Sequence, residues 1–397
     1  MSNLLEKVLI RREFFGATLF DASTGRRVYI SENEFIGIKK YGLNAEFFRK
    51  EIGVVGRECL IIEPKWLPKF NFSAPDTVFF ELTRACNSKC LHCFNNSGTK
   101  LDDEIFYEEK IKVIKDLWQT GVQEIRFTGG EPLMSQEICN LLSFSANLGL
   151  RNSIGTNAIL VTKDYSKQLA DAGLKLAVVS VDGIGTAHDK IRGRGSFAKT
   201  MRGISLLRSH GIFIRVNTVV MRSNFDKLVS LVEYFFKQGI QVFLRRFIPS
   251  GRSSGTVNEM LTADEYIILK KTIASYLEDK SGLIQGHYLR ESEVKTRISL
   301  PFIRQKCSVG SRGLVILPNG KVQTCGFLGP LGEHHVGCVP KESMRIIWKR
   351  LLTSEYVNTL FKSLAEYNAQ TTGCRTNCFA IAVATKKENP SFQRKSD

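Results

Sequence analysis

From Thr77 onward, short apolar stretches alternate with amphipathic ones, and this pattern restricts the fold more than any other property of the chain. "TVFFEL" is an apolar strand, "YEEKIKVIKDLWQTG" is an amphipathic helix closed by Gly121, and "EIRFTGGEP" is a strand that runs into a glycine-rich turn. "RNSIGTNA", "KLAVVSVDG", "IRVNTVV" and "VFLRRFIP" are further strands, separated by helical stretches such as "DYSKQLADAG" and "FDKLVSLVEYFFKQG". Strands recurring at about 25–40 residues with helices between them predict a β/α series on a parallel sheet. Roughly six units fit, too few for a closed eight-stranded barrel. The expectation is an α/β fold, an incomplete (β/α)6 TIM-type barrel over residues 76–260, with a lateral opening that would admit a large substrate.

Two flanking regions differ from this series. In residues 1–70, strands are expected around Val8–Arg12, Ala17–Phe20 and Arg27–Ile30, with a turn at Ala22–Gly25. Ser31 is a helix N-cap with Glu34 three residues on, and Gly42 ends the helix after Tyr41. A second short helix near Ala45–Glu51 and a strand in "ECLIIEP" follow, and Pro64, Pro68 and Pro75 mark the linker to the barrel. The region is a small α+β domain. After Leu261 a helix near Ala263–Glu278 leads to the hairpin "LVILPNGKVQTC", turning at Asn319–Gly320. A helical stretch, "ESMRIIWKRLLTSEYVNTLFKSL", and then "TTGCRTNC" complete a third domain over residues 300–385.

With 397 residues and 43% hydrophobic content the chain can build a sizeable core. No apolar run approaches the roughly 20 residues of a membrane helix. Met1–Ile10 carries Glu6 and Lys7 and lacks the features of a secretory signal, so a cytoplasmic protein without a membrane partner is expected. The formal net charge of +17 invites a nucleic-acid reading, but the basic residues are scattered; clusters such as Arg245–Arg246 and Lys386–Lys387 are short. An acidic peptide would suit this charge as well, and so would a solvated basic surface.

The ten cysteines are Cys59, Cys86, Cys90, Cys93, Cys139, Cys307, Cys325, Cys338, Cys374 and Cys378. Clustered thiols in a cytosolic enzyme point to metal ligands rather than disulfides. Cys86, Cys90 and Cys93 have the spacing C-x3-C-x2-C and follow directly on a strand, the end at which β/α proteins place active sites. Three thiolates can bind three irons of a cubane and leave the fourth iron open to a small molecule. Structural zinc normally takes four ligands, and His92, lying between Cys90 and Cys93, is the nominal fourth.

"CNSKCLHC" after one strand and "GGEP" after the next resemble the radical S-adenosylmethionine (SAM) superfamily, over about 170 residues from Thr77 to Arg252. The resemblance implies a [4Fe-4S] cluster on Cys86, Cys90 and Cys93, whose open iron is chelated by SAM, and reductive cleavage of SAM to a 5'-deoxyadenosyl radical that abstracts hydrogen from substrate. It implies that Gly129 and Gly130 allow close backbone approach, that Glu131, followed by Pro132, accepts from the SAM ammonium, and that Ser180 or Asp182 meets the ribose or methionine. Arg192 in "HDKIRG" would pair with the SAM carboxylate, and His92 takes a slot near adenine. Thr156, Asn157 and Asn217 would be strand-end polar contacts, and Phe247 and Ile248 would offer backbone to adenine. Cys59 and Cys139 read as ordinary thiols.

"C-x12-G-x4-C", from Cys307 through Gly320 to Cys325, resembles the opening of the SPASM and Twitch extensions of radical SAM enzymes. The full SPASM pattern has further cysteines before Cys374 that this chain lacks. The resemblance therefore implies one auxiliary Fe–S cluster, of the [4Fe-4S] type, on Cys307, Cys325, Cys374 and Cys378, with Cys338 left out and a four-cysteine zinc site as the alternative. The N-terminal strands and helices resemble the winged-helix recognition element of enzymes that mature ribosomally made peptides (RiPPs). Together these imply a peptide maturase that binds a precursor's leader, draws electrons from a reductant such as flavodoxin or ferredoxin, and forms C–C or thioether crosslinks, with epimerisation and excision also open. The alternatives are a radical SAM enzyme acting on a small cofactor or haem precursor, and a non-catalytic Fe–S or zinc protein that binds nucleic acid.

Overall fold

The structure is a computed structural model that describes residues 8–42, 58–69, 71–278, 294–296, 312–329, 335–357 and 359. Its centre is a run of parallel strands: β5 (Thr77–Glu81), β6 (Glu124–Thr128), β7 (Arg151–Thr156), β8 (Leu174–Ser180), β9 (Phe213–Val220) and β10 (Gln241–Arg246). They lie side by side in chain order. Between them run α2 (Tyr107–Thr120), α3 (Ile138–Asn147), α4 (Lys163–Asp171), α5 (Thr186–Arg192), α6 (Ser196–Ser209) and α7 (Leu228–Phe236). This is the expected six-unit partial barrel. One core joins the outward side chains of the strands to the helices, among them Phe80, Phe127, Val179, Val216 and Phe235.

The sheet does not stop at the first barrel strand. The hairpin of β12 (Gly313–Ile316) and β13 (Lys321–Gln323) continues it, β12 pairing parallel to β5 and β13 antiparallel to β12. Strand β14 (His335–Cys338) follows β13, giving nine strands among the described residues. Gly320, at φ +80, makes the expected turn, and a Cβ there would meet Val339 O at 2.1 Å. The helix α9 (Met344–Thr353), capped by Ser343, packs against α2. It carries the buried Trp348, whose Nε1 donates to Phe72 O at 2.9 Å. The helix α8 (Ala263–Glu278) lies where the sequence reading puts it.

The N-terminal region holds β1 (Val8–Glu13), β2 (Gly16–Asp21), β3 (Arg27–Ser31), α1 (Glu32–Tyr41) and β4 (Cys59–Ile62). Ser31 and Glu34 form the expected capping box and Gly42 ends α1. The helix expected near Ala45–Glu51 lies outside the described residues. A three-residue strand from after the barrel, β11 (Val294–Thr296), pairs parallel to β3, so the sheet order is β11-β3-β2-β1-β4. No helix among the described residues is long and apolar enough to cross a membrane.

Buried polar bonds tie this sheet to the barrel. Arg11 is wholly buried. Its Nε donates to Glu13 Oε1 at 2.6 Å and its Nη2 to Asp76 Oδ1 at 2.7 Å, while Nη1 reaches Pro75 O at 3.2 Å and Gly121 O at 3.0 Å. From the barrel side, Arg151 Nη1 donates to Ala22 O at 2.7 Å and Ser23 O at 2.8 Å. Removing one partner of such a buried ion group strands the other charges without water. Arg11→Met should therefore lower the unfolding free energy by about 3–5 kcal/mol. Arg12→Met, which breaks the partly exposed pair to Glu32, should cost about 1 kcal/mol or less. Urea denaturation of the two variants against the parent measures the contrast.

Candidate active site

Residues 82–106 connect β5 to α2 and carry the cysteine triplet. The loop is built from polar cross-links. Cys86 N donates to Gly98 O at 3.0 Å, and Gly98 N to Arg84 O at 3.1 Å. The buried Glu104 Oε1 gathers three donors: Thr83 Oγ1 at 3.1 Å, Arg84 N at 2.7 Å and Leu101 N at 3.0 Å. The segment after β10 supports the loop from outside. Arg252 donates through Nη1 to Cys90 O at 2.8 Å and through its backbone N to Cys93 O at 2.9 Å. Gly251, at φ +61, lies so close that a Cβ would meet Phe94 O at 2.0 Å.

Burial pushes the Cys86 thiol up to about 11 and raises that of Cys90, which the nearby Arg192 partly offsets. Charge on Cys90 or Cys93 would raise Cys86 further, so the three thiols lie within electrostatic reach of one another. Among the described residues no group of three or more His, Cys, Asp or Glu is gathered to hold a single metal ion. A polynuclear cluster, with each thiolate on a different iron, asks for a wider spread of sulfurs than one ion does. The donor set fits such a cluster: three thiols on one braced loop, with a cation beside them. Arg192 Nη1 lies 3.7 Å from Cys90 Sγ.

A buried carboxylate joins this loop to the ends of β8 and β9. Asp182 Oδ2 accepts from His92 Nε2 at 2.6 Å and from Arg192 Nε at 2.5 Å, and Oδ1 accepts from Val219 N at 2.8 Å. Burial alone would raise its pKa, but Arg192 and His92 outweigh it and hold the carboxyl well below the usual carboxylate range. The sequence reading gives Arg192 to the SAM carboxylate, Asp182 to ribose or methionine, and His92 to adenine; here the three side chains bind one another. Asn224 Nδ2 fastens the backbone, donating to Asp182 O at 3.0 Å and Val219 O at 2.9 Å.

The glycine-rich turn is equally braced. A Cβ on Gly129 would meet Thr83 O at 2.4 Å, and one on Gly130 would meet Ala85 O at 2.2 Å, so both glycines serve close packing against the cysteine loop. Glu131 is buried; Oε1 accepts from Thr156 Oγ1 at 2.6 Å and Leu133 N at 3.1 Å, and Oε2 from Asn157 N at 2.8 Å. Burial pushes it up to about 7 despite these donors. Pro132 opens a single 3-10 turn behind it. Asn157 Nδ2 donates to Asn87 Oδ1 at 2.7 Å, so the strand-end residues Thr156 and Asn157 link the glutamate to the cysteine loop.

Ser180 ends β8 as expected, but Asn217 does not end β9: it pairs with Ser180, and the strand runs on to Val220. Phe247 and Ile248 are buried just beyond β10 rather than on it. Cys325 follows β13, and its neighbour Phe327 meets Phe94 of the cysteine loop with ring centroids 4.4 Å apart. Cys338 closes β14, and Cys307, Cys374 and Cys378 lie outside the described residues. The sequence reading gives no role to Arg252, Glu104, Asn224 or His188; of these only His188 lies in a quoted segment, as the first residue of "HDKIRG".

His188 yields a pH prediction. It is fully buried, accepts from Asp182 N on Nδ1 at 3.3 Å, and leaves Nε2 buried with no partner among the described residues. Burial, then the charge of Arg192, lowers it from 6.5 to about 4. The unfolded chain therefore takes up a proton near pH 6.5 that the folded chain refuses until about pH 4. Stability is full above pH 6.5 and falls between these values, by a maximum on the order of 3 kcal/mol. Thermal unfolding at pH 7 and pH 5 should show the drop, and His188→Asn, which keeps an acceptor for Asp182 N, should shrink it.

Residues 80–235 match the family described as the Radical SAM superfamily. Among curated proteins, the chain is 28% identical over 345 residues to the AdoMet-dependent heme synthase of Oleidesulfovibrio alaskensis, covering 79% of this chain and 86% of that one. It is also 28% identical over 264 residues to the antilisterial bacteriocin subtilosin biosynthesis protein AlbA of Bacillus subtilis, covering 64% and 56%. Among solved structures, Streptococcus suis SuiB bound to its precursor peptide SuiA shares the fold with a TM-score of 0.69 at 16% identity, over 97% of this chain and 96% of that one. The sequence match falls on the stretch that contains the cysteine loop, the glycine-rich turn and Asp182, and this chain is an enzyme with a radical SAM domain over residues 80–235.

Proposed function

We propose that this enzyme modifies a ribosomally made precursor peptide, forming a C–C or thioether crosslink. The observation that carries the reading is the N-terminal sheet. It is bolted to the barrel through Arg11, Asp76 and Arg151, at the starts of β5 and β7, as a fixed platform rather than a loose appendage. The fold shared over nearly the whole chain with SuiB, which has been seen with its precursor peptide, supports it. In this reading residues 1–70 hold a leader peptide by strand addition, with backbone hydrogen bonds giving affinity. β11 covers the outer edge of β3, so the leader uses β4 or displaces β11. The net charge of +17 favours an acidic leader.

When bound to Cys86, Cys90 and Cys93, the cluster together with SAM supplies a 5'-deoxyadenosyl radical that abstracts hydrogen from the substrate. The chain's own part is positioning. Arg252 and Glu104 hold the cysteine loop in shape, and Asp182 aims Arg192 at the Cys90 side of the site. Ser180 and Asn217, level with each other on β8 and β9, would offer polar contacts to the amino acid and ribose parts of SAM, beside the turn that Glu131, Thr156 and Asn157 brace. A flavodoxin- or ferredoxin-type protein would deliver the electron. Cys325, with Cys307, Cys374 and Cys378, would hold an auxiliary cluster, and the Phe94–Phe327 contact sets Cys325 beside the first loop.

A second reading has its own support: the heme synthase relative covers most of the chain. Under it the substrate is a haem precursor. Deleting residues 1–70 would not separate the two, because Asp76 would lose Arg11; the full chain is the proper sample. Reconstituted anaerobically with iron and sulfide, reduced and given SAM, it should form 5'-deoxyadenosine, and the triple variant Cys86→Ala, Cys90→Ala, Cys93→Ala should form none. A precursor peptide that leaves the reaction lighter by two hydrogens supports maturation, whereas turnover of a haem precursor alone supports the second reading. Cys325→Ala should lose about four irons per chain if an auxiliary [4Fe-4S] cluster is present. Unchanged iron would remove Cys325 from its ligand set.

A further inference from the structure

The loop that carries the cysteines has an outer side as well as an inner one. Cys90 is buried and His92 turns in to Asp182, but Leu91 between them is 64% exposed. Its backbone N donates to Ile191 O at 3.0 Å, so this part of the loop lies against the end of α5. The helix side is divided in the same way. Ile191 is buried and Arg192 reaches in to Asp182 and Cys90, while Lys190 and Arg194 are exposed. Lys89, just ahead of Cys90, is exposed as well. These cations stand one to three residues from the Leu91–Ile191 bond, hence within roughly 11 Å of it along the backbone.

Lys89, Lys190 and Arg194 make no ion pair among the described residues. The acid beside them is Asp189, and it is turned to its own chain. Its Oδ1 accepts from Ser196 Oγ at 3.2 Å and Phe197 N at 2.8 Å, and its Oδ2 from Gly195 N at 2.7 Å. The nearby turn after β9, reached through Met221 and Met260, has its own partners: Arg222 pairs with Glu265, and Glu259 accepts from Ser223 N. The exposed acids of the cysteine loop, Asp102 and Asp103, lie at its other end beside Lys100, where Asp103 accepts from Asn319 Nδ2 of the β12–β13 turn at 3.0 Å. Unpaired positive charge therefore collects on the α5 side of the loop, around one apolar side chain.

We propose that Lys89, Lys190 and Arg194, around Leu91, form the docking surface for a small acidic one-electron carrier protein, which reduces the cluster through the wall at Cys90. The inference rests on the radical SAM reading for the presence of that cluster, and it adds the place where the electron enters. The carrier gives up one electron and the cluster gains it; no bond is made or broken in that step. Position selects this occupant, because the patch is the outer side of a wall whose inner side carries the Cys90 sulfur, and electron transfer needs a short path. Charge selects it too: cations around an apolar centre complement an acidic protein and speed its encounter. A leader peptide held on the N-terminal platform does not account for the patch. That platform meets the barrel at the starts of β5 and β7, the opposite end of the strands from the cysteine loop.

The test is calorimetric titration of the full-length, cluster-reconstituted protein with an oxidised flavodoxin, and separately with an oxidised two-cluster ferredoxin, at low and at high sodium chloride. At least one carrier should bind the parent at low salt and be released at high salt. Lys89→Gln, Lys190→Gln and Arg194→Gln combined should weaken that binding about tenfold. Bleaching of the cluster's visible absorbance by the reduced carrier should slow to the same extent, while bleaching by dithionite stays as in the parent. Lys190→Gln with Arg194→Gln, both outside the cysteine loop, repeats the test should the triple variant fail to take up its cluster. A parent that binds neither carrier would overturn the proposal, and so would a variant that binds and is reduced like the parent. Equal slowing with dithionite would overturn it as well, because the substitutions would then act on the cluster and not on docking. A capped decaglutamate peptide is titrated alongside; a variant that loses the peptide but keeps the carrier assigns the patch to acidic peptides instead. Deoxyadenosine formation with dithionite and SAM is scored on the same preparation, so a failure of the radical SAM reading shows there and not in carrier binding.

Discussion

The site depends on one buried carboxylate. Asp182 meets the cysteine loop through His92, the end of α5 through Arg192, and β9 through Val219 N. A carboxylate with no exposure is tolerable only because cations and N–H groups surround it. The arrangement also works in reverse: the same bonds fix Arg192, whose free end faces Cys90. Three elements far apart in the chain are thus held in one geometry by an interaction that none could make alone. His188, neutral because it is buried, completes the hub by accepting from the Asp182 backbone N–H.

Glu131 plays a parallel part on the other side. Its two oxygens are taken by Thr156, Asn157 and Leu133, so the glycine-rich turn after β6 is locked to the end of β7. Gly129 and Gly130 then let that turn lie directly on the backbone of residues 83–85, just ahead of Cys86. The cysteine loop is consequently pinned from three directions: by the turn, by Asp182 and by Arg252. A loop that must hold a reactive centre gains from such bracing, since positioning groups act only when their own orientation is fixed.

Much of this was legible in the sequence, but unevenly. The barrel strands announce themselves because each is apolar and bounded by turn residues, and α1 because Ser31 and Glu34 stand three apart before it. Asp182, Arg192, His92, Glu131, Thr156 and Asn157 all lie in recognisable segments, yet their mutual bonds join residues 10 to 90 positions apart and follow no local period. Arg11 was invisible for a different reason: an arginine in a strand reads as exposed, and only the approach of Asp76 and Gly121 O makes its burial tolerable. Glu104 and Arg252 sit in irregular loops, where neither capping nor alternation marks a role. Asn217 reads as a strand end because the sequence shows where a strand begins more clearly than where it stops, and β9 runs on to Val220.

The topology also separates the two sides of the barrel. At the β5 side the sheet is extended by β12, β13 and β14, and α9 packs behind them, so that side is filled by the chain itself. At the other side β10 is the last of the described strands in the sheet. The two edges of the incomplete barrel are therefore finished differently, the first by further strands of the same sheet. Phe243 and Arg245 stand on that strand and Arg215 on its neighbour. Two inward-facing cations, Arg215 and Arg245, thus flank the Phe243 ring at this side of the sheet, their Cζ atoms 4.4 and 5.7 Å from its centroid. The register sets them at different heights: Arg215 lies level with Val178, two residues below Ser180, whereas Arg245 lies level with Val219, two residues beyond Asn217, and the Phe243 ring between them spans that step.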